Sequence, residues 1–347
     1  MRKTGLFKFA ILVALFAMVL SACTRTGTDT STDSATTEAA GEEEQTATPE
    51  EAATVEITDL YGTVTVPVNP QNVVSLDNRT FETLQDWGIE LAAVPKGVMP
   101  ADLSYVSDES VQDIGDHREP NLEIIAAVDP ELVIIGQRFA SYYEEIKKLV
   151  PNAVVIDLDF DVSEEAATPG ENLVNGFKNS TLALGQIFDK NDEAEQLVAE
   201  FDQSIEDAQA AYNGTDTIMS VVVSGGEIGF AAPGSGRVWG PLYEVFGWVP
   251  ALEIDDASSD HQGDDVSVEA IAQSNPDWLF VLDRDAAVSS TTDAVPAQDV
   301  IDNAPALQNT TAVANGQIVY APADTYTNES IQTFIELFGD ITEAFTK

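Results

Sequence analysis

The chain has 347 residues, with 15 basic against 60 acidic side chains and a formal net charge of −45 at pH 7. That balance excludes nucleic acid and an anionic membrane surface as binding partners. A single cysteine excludes an internal disulfide.

In chain order, Met1-Arg2-Lys3 and Lys8 form a charged start, and Phe9 to Leu20 an apolar run too short for a comfortable membrane anchor. The run ends in Leu20-Ser21-Ala22-Cys23, the pattern of a bacterial lipoprotein cleavage site. Residues 1–22 therefore read as a leader and Cys23 as a lipidated N-terminus, where two acyl chains give stable attachment. Residues 23–53 are rich in Thr, Ser, Glu and Ala, with no large apolar residue. They read as a disordered tether, because they cannot bury enough surface to offset the entropy of ordering. Loss of the leader removes three basic residues and leaves 12 − 60 = −48.

The body that follows, about 325 residues counted from Cys23, is large for one core, so two lobes are expected. Residues 55–67 alternate like a hairpin around Tyr61-Gly62. Strands are expected at 73–77, 132–136 and 153–159, with helices at 81–88, 121–127 and 142–150. A helical tract covers 172–212, with a break near 189–191 and an apolar stripe through Ala194, Leu197, Val198, Phe201 and Ile205. Strands return at 217–225, 278–283 and 316–321, with helices at 242–246, 268–273 and 328–345. This alternation predicts an α/β protein of two lobes, 54–190 and 214–347, with mostly parallel sheets. The lobes are joined by a long helix at 191–213, a link that opens and closes little.

Three of the seven arginines stand just past apolar strands: Arg138 in ELVIIGQR, Arg237 in GFAAPGSGR and Arg284 in WLFVLDR. Such strand ends are where α/β proteins place ligand groups. A guanidinium there is desolvated and persists only if something pairs with it. Either each arginine meets one of the many nearby carboxylates, or the three line a cleft for an anion. Phe139, Tyr142 and Trp239 lie beside them as candidate ring contacts. The chain has no P-loop, no dinucleotide fingerprint and no nucleophile elbow. Its two histidines, His117 and His261, are far apart in sequence, which argues against a histidine zinc site. The acidic loop 253–265 lacks calcium-loop spacing.

The stretches VPVNP before VVSLD, GDHREPNLEIIAAVDPELVII (115–135), the long mid-chain helix and VSVEAIAQSNPDWLFVLDR (266–284) carry a resemblance. Over about residues 54–347 the chain resembles the helical-backbone substrate-binding proteins of ABC importers for ferric siderophores and cobalamin, and most closely their catecholate branch. The resemblance implies a class III periplasmic binding protein fold and no enzymatic activity. It implies an extracytoplasmic receptor, anchored by lipid to the outer face of the cell membrane, that acts as a monomer. Its partners would be a ferric siderophore and an ABC permease with its ATPase. No intrinsic cofactor is implied, since ferric iron arrives as the siderophore complex. Arg138, Arg237 and Arg284 then form the floor of a basic cleft. Arginine suits an anionic catecholate complex because it stays charged, forks onto paired oxygens and stacks on rings. His261 and Tyr326 match an iron-ligand pair, and Glu123 and Glu269 match the permease-docking carboxylates. Haem, cobalamin or a ferric hydroxamate on the same scaffold is the alternative cargo. An extracellular enzyme or an adhesin remains a third class.

Overall fold

The hydrophobic alternation of 55–67 becomes strands β1 (Thr54–Asp59) and β2 (Gly62–Pro67), an antiparallel hairpin in which Thr54 faces Pro67. This computed structural model describes residues 53–288 and 294–347. The leader, Cys23 and the tether up to residue 52 lie outside the described residues. No helix among the described residues is long and apolar enough to cross a membrane.

The first sheet contains β3 (Val73–Ser75), β4 (Leu91–Val94), β5 (Gln112–Asp113), β6 (Leu132–Ile135) and β7 (Val154–Asp157). Every neighbouring pair in it is parallel, in the order β5-β4-β3-β6-β7. The second contains β8 (Thr217–Ser224), β9 (Glu227–Phe230), β10 (Val249–Pro250), β11 (Trp278–Asp283) and β12 (Ile318–Tyr320). Its order is β10-β8-β11-β12, all parallel, with β9 antiparallel on β8. β6 and β11 read as unbroken apolar runs because both faces of each sheet are covered. The first sheet lies between one core around Phe81, Leu84 and Ile134 and another around Ile125, Phe139 and Ile146. The second lies between a core around Trp239, Phe280 and Phe338 and another around Met219, Ile271 and Leu307.

The expected helical tract is two helices, Pro169–Ile187 and Asn191–Ala211, with the break at residues 188–190. Asp189 takes a left-handed backbone there (φ 52°). Gly185 lets the helices touch, since a Cβ on it would lie 2.6 Å from the Ala194 Cβ. The first helix, and not the expected link at 191–213, bridges the two halves, so residues 169–187 belong to both lobes. Its Leu173 and Phe177 sit in the core of the second sheet, while Ala183, Leu184 and Ile187 sit in that of the first. The second helix returns to the second sheet and buries Phe201, Ile205 and Ala208 there. The closing helix, Ile331–Thr346, packs along it through Phe338 on Phe201.

In each sheet the chain starts in the middle and winds first to one side, then to the other. The reversal leaves a crevice at the carboxyl ends of β3 and β6 in one sheet, and of β8 and β11 in the other. Asp77 and Arg138 flank the first crevice, and Ser224 and Arg284 the second.

Candidate ligand-binding cleft

The two crevices contribute to one cavity of about 480 Å³. Its lining includes Val98, His117, Arg118 and Arg138 from the first half and Arg237, His261, Arg284 and Tyr326 from the second. The three sequence-predicted arginines are thus brought together, and the Tyr326 ring lies among them. The guanidinium carbons of Arg237, Arg284 and Arg138 stand 4.9, 5.2 and 5.9 Å from its centroid. The ring quadrupole attracts cations placed within about 6 Å of its face.

Each arginine is held by its local fold. Arg138 follows Gly136, where a Cβ would lie 2.3 Å from the Asp77 Oδ1, so only glycine lets β6 turn against β3. Arg138 Nη2 donates to the Tyr326 carbonyl at 3.2 Å, across the cleft. Burial in the wall pulls its pKa below the usual arginine value, with Glu329 opposing; a guanidinium nevertheless stays charged near neutrality. Arg237 rides on a coiled segment in which Gly236 N donates to the Ala232 carbonyl at 2.8 Å. A Cβ on Gly236 would come within 2.4 Å of the Ala231 backbone, and Val238 is forced to φ 63°. Behind Arg237 stands Glu329, buried and in ion-pair contact with it. Arg284 Nη1 donates to Ser224 Oγ at 3.2 Å and lies 3.6 Å from the buried Asp285. The Nε atoms of Arg237 and Arg284 are buried and have no hydrogen-bond partner among the described residues. Unpaired buried donors of this kind are costly unless a ligand meets them.

Tyr326 is itself gripped from the first half. The segment Thr325–Asn328 is tied to it by Asn78 Nδ2, which donates to the Thr327 carbonyl at 2.5 Å, and by Asn328 Nδ2, which donates to Glu82 Oε2 at 2.9 Å. Its neighbour Ser330 Oγ also donates to Glu82.

The flanking aromatics divide differently from expectation. Phe139 and Trp239 are fully buried, the first beside Ile135 and Ile146, the second 5.3 Å from the Phe280 ring. In each turn the arginine takes the cleft side and its neighbour the core side, so neither ring lines the cavity. Tyr142 is half-buried and outside the lining; its hydroxyl donates to the Arg118 carbonyl at 3.4 Å. Glu123 and Glu269 are both exposed in the first turns of the helices Leu122–Ala127 and Val268–Ser274.

Four further groups belong to the site. His117, from the quoted GDHREP stretch, lines the same cavity as His261, although 144 positions separate them. Burial first, then Arg138, pushes its pKa down, so it is neutral near pH 7. Arg118 stands exposed at the rim. Arg79, three residues beyond the apolar stretch VVSL, carried the strand-end signal too. It is consumed by a pair with Asp159 at 2.6 Å and by stacking 3.8 Å over Phe160. It borders a second, smaller chamber of about 80 Å³ that also touches Arg237 and Glu329. Hence all five arginines of the described residues face the cavity or this chamber. Glu329 had no sequence signal. No cluster of three or more His, Cys, Asp or Glu suited to a metal ion occurs among the described residues.

Comparison with known proteins agrees with this architecture. The chain is 30% identical over 287 residues to the petrobactin-binding protein YclQ of Bacillus subtilis, covering 81% of this chain and 84% of the relative. It is 31% identical over 288 residues to the ferric-anguibactin-binding protein FatB of Vibrio anguillarum, covering 82% and 85%. Among solved structures, the siderophore-binding protein BauB, bound to a complex of two acinetobactin molecules and ferric iron, superposes with a TM-score of 0.72. That match is 27% identical and covers 84% of this chain and 99% of that one. Residues 73–325 match the family described as periplasmic binding protein, and on this match and these relatives the chain belongs to that family.

Proposed function

We propose that the chain is the substrate-binding component of an ABC importer, and that it captures an anionic ferric siderophore of catecholate type for delivery to a permease. The observation that carries this reading is the ring of three guanidiniums around Tyr326 in a 480 Å³ cavity, within a chain of net charge −45. Relatives named for petrobactin and anguibactin support it. An uncharged ferric trihydroxamate would leave Arg138, which makes no ion pair among the described residues, without an anionic partner, so hydroxamates rank below catecholates; haem and cobalamin are the further alternatives. Binding and release need no covalent step, so the protein works as a receptor and not as an enzyme.

Within this reading His261 and Tyr326 complete the iron shell of siderophores that offer fewer than six donors. Both line the cavity, and His261 is exposed enough to reach a ligand. Tyr142 serves the cleft through Arg118, whose carbonyl accepts from its hydroxyl. Glu123 and Glu269 meet the permease, one from each lobe. The monomeric body, with its two lobes bridged by the helix Pro169–Ile187, hangs from lipidated Cys23 by the 23–53 tether after loss of residues 1–22. A competition titration followed by tryptophan fluorescence tests the cargo: ferric catecholates should displace cobalamin and ferric hydroxamate, and the reverse order would refute the assignment. A Cys23→Ser variant should leave the membrane fraction for the soluble one.

A further inference from the structure

Glu329 is an unusual residue for its position. It follows the short helix Thr325–Asn328 with a left-handed backbone, φ 47° and ψ 27°, where a helix end ordinarily takes glycine. The position therefore combines a strained backbone with a buried charge, and glycine would remove both. Strain that persists in a ligand site points to a role for the side chain. The carboxylate pairs with Arg237, and both line the smaller chamber, while of the two only Arg237 also lines the main cavity. Burial pushes its pKa up, but Arg237, Arg138 and Arg79 together outweigh burial and hold it below the usual glutamate value, so it is ionised. Asp285 repeats the arrangement behind Arg284; it is buried, and its Oδ2 accepts from Gly225 N at 2.6 Å. Arg138 makes no ion pair among the described residues. Three guanidiniums backed by two carboxylates leave a net charge near +1, where the arginines alone suggest +3.

We propose that Glu329 is a specificity-determining residue: standing behind Arg237, it lowers the charge of the cavity and so sets which ferric complexes are accepted according to their own charge. Glu329 acts through Arg237, as a positioning and charge-setting residue, and need not touch the cargo. The inference rests on the siderophore reading of the cleft.

The test uses three ferric complexes of similar size: a trianionic tris-catecholate, a dianionic complex of two catecholates and one hydroxamate, and an uncharged trihydroxamate. Dissociation constants are measured for wild type, Glu329→Asp, Glu329→Gln and Glu329→Gly, with a thermal melt to confirm folding. Glycine suits the left-handed backbone, so Glu329→Gly separates charge from fold. In the Gln and Gly variants the preference for trianion over dianion should rise by roughly fivefold to tenfold, the effect of one unit charge a guanidinium's width away in a partly screened site. Glu329→Asp should stay near wild type. An equal change for all three complexes, or an unchanged preference, would mean that Glu329 only props up Arg237 and would overturn the proposal. If wild type binds none of the complexes, the siderophore reading falls first and the inference falls with it.

Discussion

Replacing Arg237 with alanine separates the two tasks of that side chain, pairing with Glu329 and facing the cargo. The Arg237 and Glu329 side chains are 16% and 11% exposed, so the pair is largely desolvated. Removing one partner of a buried pair typically costs about 3–5 kcal/mol. Two features reduce this here. Arg138 and Arg79 still attract the Glu329 carboxylate, and the carboxylate can escape by taking a proton. From its ordinary value of 4.5, protonation at pH 7 costs about 3.4 kcal/mol, which caps the charge penalty. We therefore expect a loss of about 2–3 kcal/mol at pH 7 from this source. In wild type the Glu329 pKa is depressed, so its contribution is present above 4.5 and is lost as pH falls. In Arg237→Ala burial dominates and the pKa is raised, so the penalty appears as pH rises above 4.5. At pH 5 the cap is only about 0.7 kcal/mol. Urea unfolding followed by circular dichroism at pH 7 and pH 5 should show the deficit shrinking at the lower pH. The double variant Arg237→Ala/Glu329→Gln should recover about 2 kcal/mol at pH 7, yet still bind ferric catecholate far more weakly than wild type. An equal deficit at both pH values, with no recovery in the double variant, would mean that Arg237 and Glu329 do not act as a buried ion pair.

Burial pushes the Asp77 carboxyl up to about 7 against the opposing pull of Arg79. Its contribution is therefore full below about 3.8 and is lost as pH rises through 7, and Asp77→Asn should flatten this dependence. That variant should gain stability at pH 8, by an amount on the order of 2–4 kcal/mol, in melts across pH 4–8. Gly136→Ala places a Cβ 2.3 Å from Asp77 Oδ1; it should cost about 1–3 kcal/mol and weaken ligand binding by displacing Arg138. The net charge of −45 repels an anionic complex at long range, whereas the attracting guanidiniums lie inside the cleft. Salt screens the distant charges first, so the association rate measured by stopped flow should rise between low and moderate ionic strength. A rate that falls would contradict this.

The fold could be read from the sequence wherever hydrophobic runs were long. β6, β8 and β11 are apolar runs buried on both faces, and the helix Asn191–Ala211 has a clean stripe. The short elements escaped. β5 and β10 have two residues each, too few to show a period, and β9 is set by its pairing with β8 across Gly225-Gly226. The arginines were visible because strand ends are marked by the strands themselves. The rotation of a turn leaves no such mark, so Phe139 and Trp239 fell on the core side. His117 looked isolated because sequence distance says nothing of the crevice to which Gly136 and the parallel order of β3 and β6 bring the chain. Glu329 stayed hidden because its role depends on a left-handed backbone and a partner 92 positions away.

On the proposed function, Arg138, Arg237 and Arg284 form one anion-binding surface. Calorimetric titration of the folded protein with a ferric tris-catecholate, repeated on the three single arginine-to-alanine variants, tests it most directly. Wild type should bind one-to-one, and each variant should lose about 2–5 kcal/mol. Paired variants should lose less than the sum of their single effects, since all three guanidiniums share one ligand. Wild-type affinity retained in all three variants would contradict a shared anion-binding surface.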